Sequence, residues 1–214
     1  MEEVKLDENR LNEKELIEES EKKLEEEKEV LVRDNPELIL RMYQHLDDLR
    51  DVIKNMEEKR GKIFIDWLKI QSKYLVWEET FNPTYLRAYK RSEIVLAHFG
   101  FNVGSEYGGM HYAVVMKDSS KSNPIVNVVP LTSLKEGETK ETIHKNRVYL
   151  GKIEGLNEKY SVALPDQMRP ISKIRIYKPK RARQNVFKLN SDQMDLIDDK
   201  IKRLYTKLRS NKNA

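Results

Sequence analysis

The chain has no cysteine. That excludes disulfides, thiolate metal sites and a cysteine nucleophile. It fits a reducing compartment. Long apolar runs are missing too. No stretch approaches the roughly 18–20 apolar residues that a spanning helix needs. The first residues are acidic and lack the apolar segment of a signal peptide. The expectation is a soluble, cytoplasmic protein without membrane contact. His45, His98, His111 and His144 are dispersed with no ligand spacing, so there is no zinc signal and no cofactor is expected. Glycine is scarce, and three of the eight fall within residues 104–109.

Charge is abundant. Asp, Glu, Lys and Arg make up 36% of the chain, and mean hydropathy is −0.75. The net charge of +4 hides an asymmetry. Residues 1–31 hold 13 acidic and 6 basic side chains, and residues 169–188 hold 8 basic and none acidic. The basic half points to a polyanion such as RNA or DNA, unless it is a generic solvated surface.

Three regions follow. Residues 1–34 carry Ile17, Leu24 and Leu31 at seven-residue spacing amid charge. One apolar position per heptad is too thin a seam for a strong coiled coil. The expectation is an acidic helical arm or a partly disordered one. Asn35-Pro36 then starts a helix, with a capping side chain before a proline. Ile39, Met42, Leu46, Leu49, Ile53 and Met56 keep a 3.5-residue period that resumes at Ile63, Trp67, Ile70, Tyr74 and Trp77. This predicts one long helix over 35–80, or two collinear ones, with Gly61 as the weak point. Its expected role is dimerisation or a stalk, and both tryptophans are expected in a core. Asn82-Pro83 ends the helical region.

From residue 90 the pattern is β. Strands are expected at Ile94–Phe99, Tyr112–Met116, Ile125–Val129 closed by Pro130, Arg147–Leu150, Ser161–Leu164 and Ile171–Tyr177. A final helix is expected from Ser191, with Met194, Ile197, Ile201 and Leu204 on one face. The fold class is therefore α+β, a small β-barrel preceded by a long helical, coiled-coil-like region.

Four segments carry a resemblance. They are Lys90-Arg91-Ser92-Glu93-Ile94-Val95, then Gly104-Ser105-Glu106-Tyr107-Gly108-Gly109-Met110-His111, then Pro130-Leu131-Thr132-Ser133, and Asp166-Gln167-Met168-Arg169. Their order and spacing resemble the MazF/PemK family of toxin endoribonucleases over residues 90–208. The resemblance implies an SH3-like barrel of the MazF/PemK/CcdB type that forms a homodimer. It implies metal-independent cleavage of single-stranded RNA, leaving a cyclic phosphate and a 5′-hydroxyl. It also implies a cognate acidic antitoxin. The family's catalytic Thr matches Thr132. The catalytic Arg position holds His111, followed by Tyr112 instead of Pro.

RNA cleavage by its own 2′-hydroxyl needs a base, an acid and stabilisation of the phosphorane charge. His111 can be the acid or base, unless it is an ordinary strand residue. Thr132, Ser133, Ser105, Gln167 and Arg169 are candidates for the phosphate. Lys180, Arg181 and Arg183 form the strongest basic run, flanked by Tyr177 and Phe187, which can stack on bases. Gly104, Glu106, Gly108 and Gly109 shape the loop, with Glu106 ordering it through backbone N–H groups, as the resembling motif implies, unless it serves as a general base. Two other readings remain open at this point. One is a MazF-like barrel that binds nucleic acid or protein without cleaving. The other is a CcdB-like topoisomerase inhibitor.

Overall fold

Apolar residues occupy successive positions along the three longest strands, because both faces of the sheet are covered. Strand side chains alternate in direction, so Ile94, Val114 and Val129 enter one core while Val95, Ala113, Val115 and Val128 enter another. The computed structural model describes residues 30–156, 158–177 and 186–206. The expected arm over 1–34 lies largely outside them.

Among the described residues, six antiparallel strands form the sheet: β1 (Ile94–His98), β2 (Met110–Val115), β3 (Ile125–Ser133), β4 (Val148–Gly151), β5 (Ser161–Ala163) and β6 (Arg169–Ser172). Their order is β1-β2-β3-β5-β4, and β6 pairs with the first half of β3. Among the described residues, no sixth pairing closes the path. A single bridge between Ile176 and Ala97 brings the chain after β6 to the free edge of β1.

Pro130 does not end its strand. It stands opposite Ala113, and beyond it β3 pairs with β5 through Leu131, Thr132 and Ser133. The missing N–H thus falls where β3 changes partners, so no ladder bond is lost. The last expected strand, Ile171–Tyr177, is shorter and starts earlier. The Ser172 side chain accepts the Ile174 N–H and begins a 3₁₀ turn over Lys173–Arg175. That turn directs Lys173 inward, where its ammonium donates to the Ser120 carbonyl at 2.6 Å. Ser92, the one described non-glycine residue with positive φ (73°), makes the tight turn into β1.

The chain divides into two units, Met1–Gly61 and Lys62–Ala214. In the first, α1 (Pro36–Lys54) is capped by Asn35, whose side chain accepts from the N–H groups of Glu37 and Leu38. The expected weak point at Gly61 is intact helix. The interruption falls at Asn55–Glu57, where the Glu57 carboxylate accepts from the N–H groups of Lys59 and Arg60 and caps α2 (Glu58–Glu78). An acid just ahead of two orphan amides restarts a helix without disturbing the apolar period. In the second unit, Trp67 is buried but Trp77 is 56% exposed, contrary to the core expected for both. The final helix, α3 (Ser191–Tyr205), is capped by Asn190 in a capping box with Gln193, one residue ahead of the expected Ser191. Its Met194 and Ile197 fill the core beneath β3, β4 and β5. No described helix is long and apolar enough to cross a membrane.

Candidate functional site

The turn from β1 to β2 is held by its own backbone. Phe99 N–H donates to Gly109 O and Gly109 N–H donates to Gly100 O, both at 2.7 Å. A Cβ on Gly108 would stand 2.6 Å from the Gly100 carbonyl oxygen, so only glycine fits there. Gly109 has φ +83°, and a Cβ on it would meet the His111 ring at 3.3 Å. The Asn102 amide donates to Tyr107 O at 2.8 Å, and Gln167 Oε1 accepts the Tyr107 N–H at 3.1 Å. These two side chains order the turn. Gly104, Ser105 and Glu106 stand exposed at its lip, so the ordering expected of Glu106 comes from Asn102 and Gln167 instead.

His111 faces Ala97 across the β1–β2 pair. It is half-buried, and its ring lies 4.5 Å from that of Tyr107. Burial holds its imidazole below the usual histidine pKa, and a hydrogen bond with the Gly108 backbone opposes that shift only in part. The ring is therefore neutral near pH 7. Burial likewise raises the Tyr107 phenol above its usual value, against the Thr132 hydrogen bond and the positive charge of Arg147. The same hydroxyl donates to Leu131 O at 3.3 Å.

Thr132 and Ser133 end β3, opposite Val162 and Ser161. Together with His111, Met110, Leu156 and Ser161 they line a cleft of about 140 Å³. Tyr107 ties the two sides together, with its ring on His111 and its hydroxyl donating to the carbonyl of Leu131, the residue before Thr132. Arg169 stands apart from that pair. Its guanidinium donates to Gln167 Oε1 at 2.9 Å and lies over the Phe99 ring. Gln167 Oε1 thus serves Tyr107 and Arg169 and works within the protein. Ser105 remains at the lip. Lys180, Arg181 and Arg183 lie outside the described residues. Phe187 packs against Gly155 and the α3 core rather than standing free for a base.

Sequence reasoning passed over two features. Tyr107 was hidden inside a glycine-rich loop, and its motif position alone could have drawn attention to it. The second is a pocket of about 400 Å³ between the charged 135–147 loop and α3. Lys140, Lys145, Arg147, Lys200 and Arg203 line it, with Asp199 as its acid. Glu138 pairs with Arg147 at 3.5 Å, and Lys200 donates to Lys145 O at 2.8 Å. Loop and helix are distant in sequence, so their charges read separately as solvated surface. Among the described residues, no three His, Asp or Glu side chains gather so as to hold a metal ion.

No match to the sequence was found among curated proteins. Among solved structures, MazF (form I) from Deinococcus radiodurans is similar, with 20% identity and a TM-score of 0.41 over 55% of this chain and 96% of that one. MazE-MazF (form II) from the same organism is similar at 18% identity and a TM-score of 0.37, over 55% and 94%. Residues 90–205, more than half the chain, match the family model described as PemK-like, MazF-like toxin of type II toxin-antitoxin system, and the chain belongs to that family.

Proposed function

We propose that this toxin is a metal-independent endoribonuclease acting on single-stranded RNA. The observation that carries the reading is the shared cleft of His111 and Thr132, with the Tyr107 ring packed on His111. Neutral His111 accepts the proton of a 2′-hydroxyl. O2′ then bonds to phosphorus, the P–O5′ bond breaks, and the products are a 2′,3′-cyclic phosphate and a 5′-hydroxyl. Tyr107, protonated at neutral pH, is a group able to give a proton to the departing O5′. Thr132 and Ser133 donate hydrogen bonds to the phosphoryl oxygens. Arg147, whose charge reaches Tyr107, supplies positive potential beside them. The pocket of Lys140, Lys145 and Arg203 takes a flanking phosphate. Arg169 acts by holding Gln167 and the turn.

The protein works as a homodimer in this reading, and an acidic antitoxin covers the basic surface. Cleavage of a long single-stranded RNA in the presence of EDTA tests the reading. Replacing His111 by Ala is expected to slow cleavage by about 10²–10⁴-fold. Equal, nonzero rates in wild type and variant would remove the His111 role.

A second reading is a binding module with the same fold. It is favoured by the half-buried, neutral imidazole where the resemblance places an arginine. RNA bound but left uncut by the wild type would establish it. Inhibition of DNA gyrase without RNA cleavage would instead favour the topoisomerase reading.

A further inference from the structure

The family match begins at residue 90, yet a residue well before it touches the turn that carries the site. Trp67 of α2 is 7% exposed. Its ring packs at a tilt 4.8 Å from His98 on β1, and the Arg175 guanidinium lies 5.7 Å over it. Arg175 also donates to the Phe99 carbonyl at 3.2 Å. The closest approach is to Gly100, where a Cβ would stand 2.9 Å from Trp67 Cζ2. One helical turn earlier, Phe64 packs on Phe101 at 4.6 Å. One to two turns later, Tyr74 meets His98 edge-on at 6.3 Å. The three aromatics present one face of α2 to residues 98–101.

Those residues are the fixed end of the active-site turn. Gly100 O receives the Gly109 N–H, and the Gly108 α-carbon packs so closely on that oxygen that no side chain fits. Gly109 in turn lies against the His111 ring. The physical path is therefore short: indole, Gly100 carbonyl, Gly108–Gly109, imidazole. The described contacts on the α2 side of this path are aromatic packing and one arginine, with no contact to RNA required.

We propose that α2 braces the active-site turn, with Trp67 as a positioning residue that sets the placement and burial of His111. The proposal rests on the endoribonuclease reading for its kinetic consequence but not for its structural one. Shortening the indole removes the surface against which Gly100 sits. The turn then relaxes away from His111, whose ring gains water and a higher pKa.

The full-length chain carries the test. In Trp67→Ala, kcat for a single-stranded RNA is expected to fall on the order of tenfold to a hundredfold with KM little changed, because misplacement acts on the chemical step. The acidic limb of the rate profile is expected to move to higher pH, and Trp67→Phe is expected to restore most of both. NMR titration of the His111 ring gives a readout independent of cleavage, with an upward pKa shift expected in Trp67→Ala. A shifted imidazole in a chain that cuts no RNA would retain the brace and remove the endoribonuclease reading. An unshifted imidazole and unchanged kcat in a folded Trp67→Ala protein would overturn the brace. If Trp67→Ala does not fold, Phe64→Ala decides. A smaller shift of the same sign supports the proposal, and no shift overturns it.

Discussion

Two amphipathic helices of similar length meet different fates here. Along α1, Ile39, Met42, Leu46, Leu49 and Ile53 hold the apolar positions, yet none of its residues is buried. Along α3, Met194 and Ile197 are buried under the sheet, and Ile197 is fully enclosed. Periodicity reports that a face is apolar and says nothing of what covers it. The α3 face has its cover in the same chain, from strands that are themselves apolar. The α1 face lies in a unit of its own, with acidic and basic residues beside its apolar positions.

The contrast can be broken most directly at Ile197. Replacing it with Ala is expected to destabilise the sheet unit by about 2–5 kcal/mol, read by chemical denaturation. A loss under about 1 kcal/mol would mean that α3 is no better anchored than α1. Acid is expected to have the next effect, confined to the sheet unit. His98 and His111 both have pKa values lowered chiefly by burial. Their unfolded values lie near 6.5, so the unfolded chain binds more protons just below that pH. Stability is full above about 6.5 and is lost as pH falls through the depressed folded values. Denaturation midpoints at pH 7.5 and 5 measure it, and a flat profile would refute it. Ser92→Gly is expected to stabilise the same unit by about 1 kcal/mol, since its positive φ is strained for a side chain. Leu46→Ala should change the unfolding of the sheet unit by less than about 0.5 kcal/mol. Sedimentation of that variant beside the wild type is the sharper measurement. Weaker self-association would show that a second copy covers α1.

The strands were legible because their apolar runs are bounded by turn residues, and β1 to β5 fall near their expected places. What failed was local chemistry. Pro130 signals a strand end unless one knows that β3 exchanges partners there. Glu57 reads as one more charge until its carboxylate is seen capping α2. In the site, the glycines and Thr132 were legible from their motif. The work of Gln167 and Tyr107 was not, because each depends on a partner far along the chain. Trp67 could be read as buried, but not that it sits on Gly100.

Lys173 gives the sheet an internal clock. The residue is 1% exposed, and its ammonium points at the carbonyls of Ser120 and Lys121. Desolvation lowers its pKa, so its free amine is more available than that of a surface lysine. An amine-acylating reagent still cannot reach it while β6 stays paired with β3. Its labelling, followed by mass spectrometry, should lag behind that of the exposed lysines and then proceed at the rate at which this edge of the sheet opens.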